Sequence, residues 1–212
     1  MFLNRSLRTI FIGLAGIYAL LLVAIGATWY GEQRAAKAVA GAYQLEHVSY
    51  LLADEFRQSS DELTRLARTF AITGDRRYEA QYLEVVAMRA GEKARPLAPH
   101  RIYWDLVLDN SQRPRGPGQT KALLAEMKEA GFTDGEFAKL DQAQAKSDGL
   151  VALETRAMNA VKGLFEDIAG KFTVQGEPDL KLARDLLHSA EYHRFKGESM
   201  KPVDELFELV DA

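Results

Sequence analysis

Residues 45–75 read LEHVSYLLADEFRQSSDELTRLARTFAITGD. Leu45, Val48, Leu52, Phe56, Ser59, Leu63, Leu66 and Phe70 recur at alternating spacings of three and four, the period of a long helix that buries one stripe against partners. Residues 32–73 contain no proline and only one glycine, Gly41, so nothing interrupts that helix. Thr73-Gly74-Asp75 ends it: Gly74 suits a left-handed C-terminal cap, and Asp75 suits the start of the next helix.

Working back from that stripe, Thr9 to Gly31 is a run of 23 residues without a charge, TIFIGLAGIYALLLVAIGATWYG. At about 1.5 Å rise per residue, a helix of this length crosses a hydrocarbon core of roughly 30 Å. Trp29 and Tyr30 stand at its far end, where amphipathic rings favour the headgroup region. A cleaved signal peptide has a shorter apolar run and small residues at the cleavage site, so the run reads as a retained anchor. Arg5 and Arg8 precede it and hold the amino terminus inside, although Arg34 and Lys37 follow on the other side. The expected organisation is a cytoplasmic tail at 1–8, a transmembrane helix at 9–31 and an extracytoplasmic domain at 32–212. The expected location is a membrane, with most of the chain on its extracytoplasmic side.

Working forward, a second helix is expected at about 76–90, presenting Tyr78, Tyr82, Val85, Val86 and Arg89. Gly91–Pro99 and Gln112–Gly118 (QRPRGPG) are proline- and glycine-rich loops. Between them lies an apolar island, 102–108 (IYWDLVL), expected as a short helix. A helix at about 119–130 stops at Gly131. Thr133 and Glu136 then form a T-x-x-E capping box that starts a helix expected to run to about 168. Its stripe is Phe137, Leu140, Ser147, Val151, Met158, Val161, Phe165 and Ile168, with Gln144 and Glu154 in or beside it. The polar members Ser59, Ser147 and Glu154 are expected to face a partly wet groove; the alternative is that they set helix register or make a seam easy to shift. A loop at 169–177 leads, with Pro178 in the first turn, to a helix near 179–187, and a last helix spans about 190–211 with a kink at Pro202. No segment alternates with period two. The expected fold is all-α: a transmembrane helix continuing into an antiparallel four-helix bundle with additional short helices.

Composition narrows the function. The chain has 212 residues with 27 Lys and Arg against 30 Asp and Glu. Arg5 and Arg8 are the only charged residues before Glu32, so 32–212 carries 25 basic and 30 acidic groups, a balance of −5. That balance argues against a nucleic-acid partner, which requires a concentrated basic surface. There is no cysteine, which excludes disulfides and thiolate chemistry. His188 and His193 are five apart, so on a helix they diverge by about 140° and make a poor metal pair. Phosphate-loop, dinucleotide-loop and G-x-S-x-G signatures are lacking, so no cofactor and no catalytic residue are expected.

Residues 59–70 (SSDELTRLARTF), followed by 73–78 (TGDRRY), resemble the amino-terminal helical sensor region of bacterial methyl-accepting chemotaxis proteins and related transmembrane signal transducers. Further matches follow in the same order: 101–107 (RIYWDLV), 129–133 (EAGFT), 136–140 (EFAKL), 158–165 (MNAVKGLF), and Glu191-Tyr192-His193 through Met200-Lys201-Pro202. The resemblance thus covers most of 45–212. It implies a periplasmic bundle between two spans of a bacterial inner membrane, followed by a HAMP linker and a cytoplasmic output domain. The given sequence stops at Ala212, where the second span would begin, so the reading expects either a fragment of a longer receptor or an orphan sensor.

The expected function is therefore ligand sensing by a homodimeric module that passes ligand state to a cytoplasmic output by helix displacement. The alternative is a membrane-tethered module that docks a periplasmic protein without sensing a small molecule. Candidate ligand residues are Arg65, Arg68, Tyr78, Tyr82, Arg89, Tyr103 and Trp104. Guanidinium groups clamp carboxylates, and aromatic walls exclude water around them, so the expected ligand is a small organic acid or amino acid.

Overall fold

The computed structural model describes residues 3–110 and 112–211. The side chains of Arg5 and Leu108, both drawn on above, fall outside the described set, as do residues 1, 2, 111 and 212. Among the described residues the chain is predominantly helical, with seven helices and one two-stranded hairpin. The chain divides into two units, Met1–Leu45 and Glu46–Ala212.

Helix α1 spans Leu3–Thr73 without a break and belongs to both units. Residues 3–8 of the expected tail continue the same helix. In the first unit every described side chain is exposed, including Phe11, Leu20, Val23 and Trp29. This apolar part of α1 is long enough to cross a membrane.

In the second unit α1 buries its stripe, but only from Leu52 onward: Leu52, Phe56, Leu63, Leu66 and Phe70 are buried, whereas Leu45 and Val48 stay exposed. Gly74 is left-handed and its N–H donates to Phe70 O at 2.8 Å. Asp75 then caps α2, Arg76–Ala90, by accepting from Arg77 N. Gly91 ends α2 at φ 76°. A Cβ there would lie 2.3 Å from the Ala122 nitrogen, so glycine lets the end of α2 touch the strand of chain leading into α4.

The two proline-rich loops pair with each other. Pro96 bridges Pro117, Arg95 N donates to Gln119 O, and Leu97 N donates to Gly116 O. The island between them forms helix α3, Trp104–Asn110. Helix α4, Leu123–Glu129, is shorter than the expected 119–130. The capping box is formed: Thr133 N donates to Glu136 Oε2 at 2.5 Å and Glu136 N to Thr133 Oγ1 at 3.3 Å, opening α5, Asp134–Val161.

Beyond Val161 the structure departs from the sequence reading. Instead of continuing to 168, α5 gives way to an antiparallel hairpin, β1 (Leu164–Glu166) and β2 (Phe172–Gln175). Gly163 forces the change, because it sits at φ 69° with its absent Cβ only 2.3 Å from Gly176 O. Phe165 lies in a strand and Ile168 is fully exposed at the tip, so neither continues the α5 stripe. Helix α6, Leu180–Leu187, is capped by Asp179, which leaves Pro178 just outside the helix and not in its first turn. Helix α7, Ala190–Val210, starts at Ser189 and carries Pro202 inside.

Side-chain pairs give the helix directions. Lys139, Lys146 and Glu154 of α5 meet Glu205, Glu198 and Tyr192 of α7, so these two helices run antiparallel. Thr64, Ser60 and Tyr50 of α1 meet Tyr192, Lys196 and Phe207 of α7 in the same descending order. Glu79, Tyr82 and Arg89 of α2 meet Lys162, Glu154 and Ser147 of α5, again antiparallel.

Candidate ligand-binding site

The loops bring a charged and aromatic cavity of about 270 Å³ against α1 and α2. On α1, Glu55, Gln58, Ser59 and Glu62 fall at helical spacing and make one wall. Val85, Met88 and Arg89 of α2 make another, and the 95–105 segment closes the third side. That segment is held in place by the second loop: Arg113 donates to Tyr103 Oη at 2.9 Å and to Glu84 Oε2 at 3.0 Å, while Arg115 donates twice to Ile102 O at 3.0 Å. Tyr103 and Trp104 meet edge to face, with ring centroids 5.0 Å apart. Within this segment Ala98 takes φ 50°, a left-handed conformation that a Cβ disfavours.

The cavity's charges are mostly committed. Arg95 is buried and bridges two carboxylates, Glu55 at 2.6 Å and Glu126. Glu55 is nonetheless pushed above the usual carboxylate range, because burial outweighs its contact with Arg95. Glu62 is raised by burial as well, although Arg65 donates to its Oε2 at 2.6 and 3.0 Å. Arg65 also lies 3.6 Å from Asp105.

Of the seven residues expected from sequence, Arg89, Tyr103 and Trp104 line this cavity together. The other four do not. Arg65 reaches its edge only through Glu62 and Asp105. Arg68 donates to Leu187 O at 3.1 Å, at the C-terminus of α6, and its guanidinium lies 4.8 Å over the Tyr192 ring, a helix-capping and packing role. Tyr78 is partly buried against the core. Tyr82 is buried and donates to Glu154 Oε2 at 2.7 Å. Glu55, Glu62, Arg95 and Arg101 line the cavity and are not among the seven. The repeat Glu55, Gln58, Ser59, Glu62 beside the apolar stripe was the signal for the first two. Arg95 and Arg101 stand in an irregular loop, where no period announces them.

Beneath the cavity lies a polar cluster at the centre of the helices. Glu154 is 1% exposed and its carboxylate accepts from both Tyr82 Oη and, at 2.5 Å, Tyr192 Oη. The Tyr192 hydroxyl also lies 3.0 Å from Thr64 Oγ1. Burial raises the pKa of Glu154 despite these two donated bonds, and burial together with the nearby carboxylate pushes both phenols upward. Glu154 and Ser147 are therefore buried, not groove-facing as their polarity had predicted; Ser59 alone faces a cavity.

No family model, no curated protein and no solved structure matches this chain.

Proposed function

We propose that the chain is the extracytoplasmic ligand-sensing module of a chemotaxis-type transmembrane receptor, a homodimer anchored in a bacterial inner membrane. One observation carries the reading. Helix α1 holds the exposed apolar stretch and, further along the same uninterrupted helix, the wall Glu55, Gln58, Ser59 and Glu62 of the cavity. In this reading α1, α2, α5 and α7 form an antiparallel four-helix bundle, and the ligand is a small organic acid or amino acid. Ligand binding favours one of two nearby placements of the helices that line the cavity, and the bias is felt at the membrane. The function is differential binding of two conformations, with no chemical step. Exposed Val39 and Tyr43 on α1 supply apolar surface for a second copy of the chain.

Two measurements test this. Alkaline phosphatase fused after Ala212 should be active in cells, since the enzyme matures only outside the cytoplasm; an inactive, stably expressed fusion overturns the orientation. A thermal-shift screen of the full chain in detergent against organic acids and amino acids should find a saturable stabiliser whose effect disappears in Trp104→Ala. A silent panel with a stoichiometric co-purifying protein favours the docking alternative, for which the exposed tip residue Ile168 is the natural contact.

A further inference from the structure

A second cavity, of about 320 Å³, lies on the other side of Arg89. Its walls are Phe56 and Leu63 of α1, Val86 of α2, Leu123 and Leu124 of α4, and Val151 of α5. All six are apolar, while Gln144 and Asp148 join Arg89 on the polar side of the cavity. Arg89 is the single cation among its lining residues. Its guanidinium lies 4.8 Å over the Phe56 ring and donates to Gln144 Oε1 and Ser147 Oγ, each at 3.2 Å. These partners are neutral and the bonds long. Among the described residues no carboxylate lies within ion-pair distance of Arg89. Burial holds its pKa below the ordinary arginine value, the mark of a cation short of compensation. Every other arginine deep in this domain has an answering group: Arg95 has Glu55 and Glu126, and Arg68 has a helix C-terminus.

We propose that this second cavity binds a monocarboxylate with a compact apolar body, an aromatic or branched short-chain acid, whose carboxylate pairs with the Arg89 guanidinium. A half-buried guanidinium whose direct hydrogen-bond partners are neutral, beside a largely apolar hollow, is complementary to a carboxylate carried on a hydrocarbon group. One cation calls for one carboxylate. Asp148, exposed at the rim and accepting from Gln144 Nε2 at 2.6 Å, repels a second negative charge at the mouth and so selects against dicarboxylates. The site stands whether or not the first cavity senses a ligand, because only Arg89 and Leu123 line both.

The test is fluorine NMR of 4-fluorobenzoate titrated with the full chain in detergent. Saturable line broadening is expected, weakened at least tenfold in Arg89→Met and left within twofold of wild type in Trp104→Ala. On the ligand side, 4-fluorobenzyl alcohol, with the same body and no charge, and 4-fluorophthalate, with a second carboxylate, should each bind at least tenfold more weakly. These ligand comparisons need no variant to fold. Absence of saturable binding, equal binding of acid and alcohol, or binding that survives Arg89→Met but is lost in Trp104→Ala overturns the proposal. The screen on the first cavity can fail without touching this result, and the reverse also holds.

Discussion

The core cluster built from Leu63, Leu66, Phe70, Leu150, Met158 and Leu187 holds a carboxylate bonded across helices, whereas beside the cluster of Leu52, Phe56, Leu123, Met127, Phe132, Leu140 and Leu206 the buried carboxylate of Glu136 is bonded locally, to Thr133. In the first, Glu154 ties α2, α5 and α7 together through the hydroxyls of Tyr82 and Tyr192, with Thr64 of α1 beside them. Directional bonds of this kind fix how far each helix is rotated and slid. In the second, the buried contacts between helices are apolar, and the charged groups, the Arg95 bridge and the Lys139–Glu205 pair, are only partly buried or lie beside it. An apolar contact can shift by a fraction of a turn at small cost, while a buried network with unmatched donors cannot. The difference teaches where the helices are pinned: both cavities draw lining residues from the two clusters, and a displacement of those helices would pivot on the polar cluster.

The comparison can be broken most strongly at its polar centre. Glu154→Ala leaves two buried phenols without their acceptor and opens a void, and should cost about 4 kcal/mol of unfolding free energy in urea titrations. Leu140→Ala in the apolar cluster should cost about 3 kcal/mol, through cavity formation alone. A third measurement sharpens the contrast by pH. Glu154 has a native pKa above its unfolded value, so the folded state binds its proton more tightly. Its contribution to stability therefore grows as pH falls from above the native pKa toward the usual glutamate range, and is flat below it. Melting temperature should rise as pH is lowered from above the native pKa toward the usual glutamate range, with Glu55 and Glu62 adding in the same sense. Glu154→Gln should flatten that rise, whereas Leu140→Ala should shift the curve down without changing its slope. The smallest effect is at Ala98, where Ala98→Gly relieves the left-handed strain and should stabilise the chain by about 0.5–1 kcal/mol. If the strain holds the 95–105 wall in place, the same substitution should weaken any ligand that depends on Trp104.

Much of the helical framework was legible because its ends are written in short-range chemistry. Thr73-Gly74-Asp75, the Thr133–Glu136 box and Ser189 each mark a boundary through groups within four residues of one another. The hairpin was not legible. Phe165 and Ile168 keep a 3.6-residue rhythm with Val161 and Met158, and strands of three and four residues are too short to show alternation. What breaks the helix is the close approach of Gly163 to Gly176, a contact that spacing does not reveal. Glu154 was misread for a related reason. A glutamate on a stripe predicts a wet groove unless its partners are known, and Tyr82 and Tyr192 lie 72 and 38 residues away in the chain. In the site, Arg89, Tyr103 and Trp104 line one cavity because loop pairing folds the island back onto α2, whereas Arg65 and Arg68 turn to nearby acceptors.

The hairpin's base is closed by Gly176 N donating to Gly163 O and by Asp179 N donating to Ala160 O, while Ile168 at its tip touches nothing that shields it from solvent. Lengthening a solvent-exposed tip costs little chain entropy once its stem is shut. A short epitope or fluorescent tag grafted between Ile168 and Ala169 should thus leave both core clusters undisturbed, giving a spectroscopic handle whose orientation follows the end of α5.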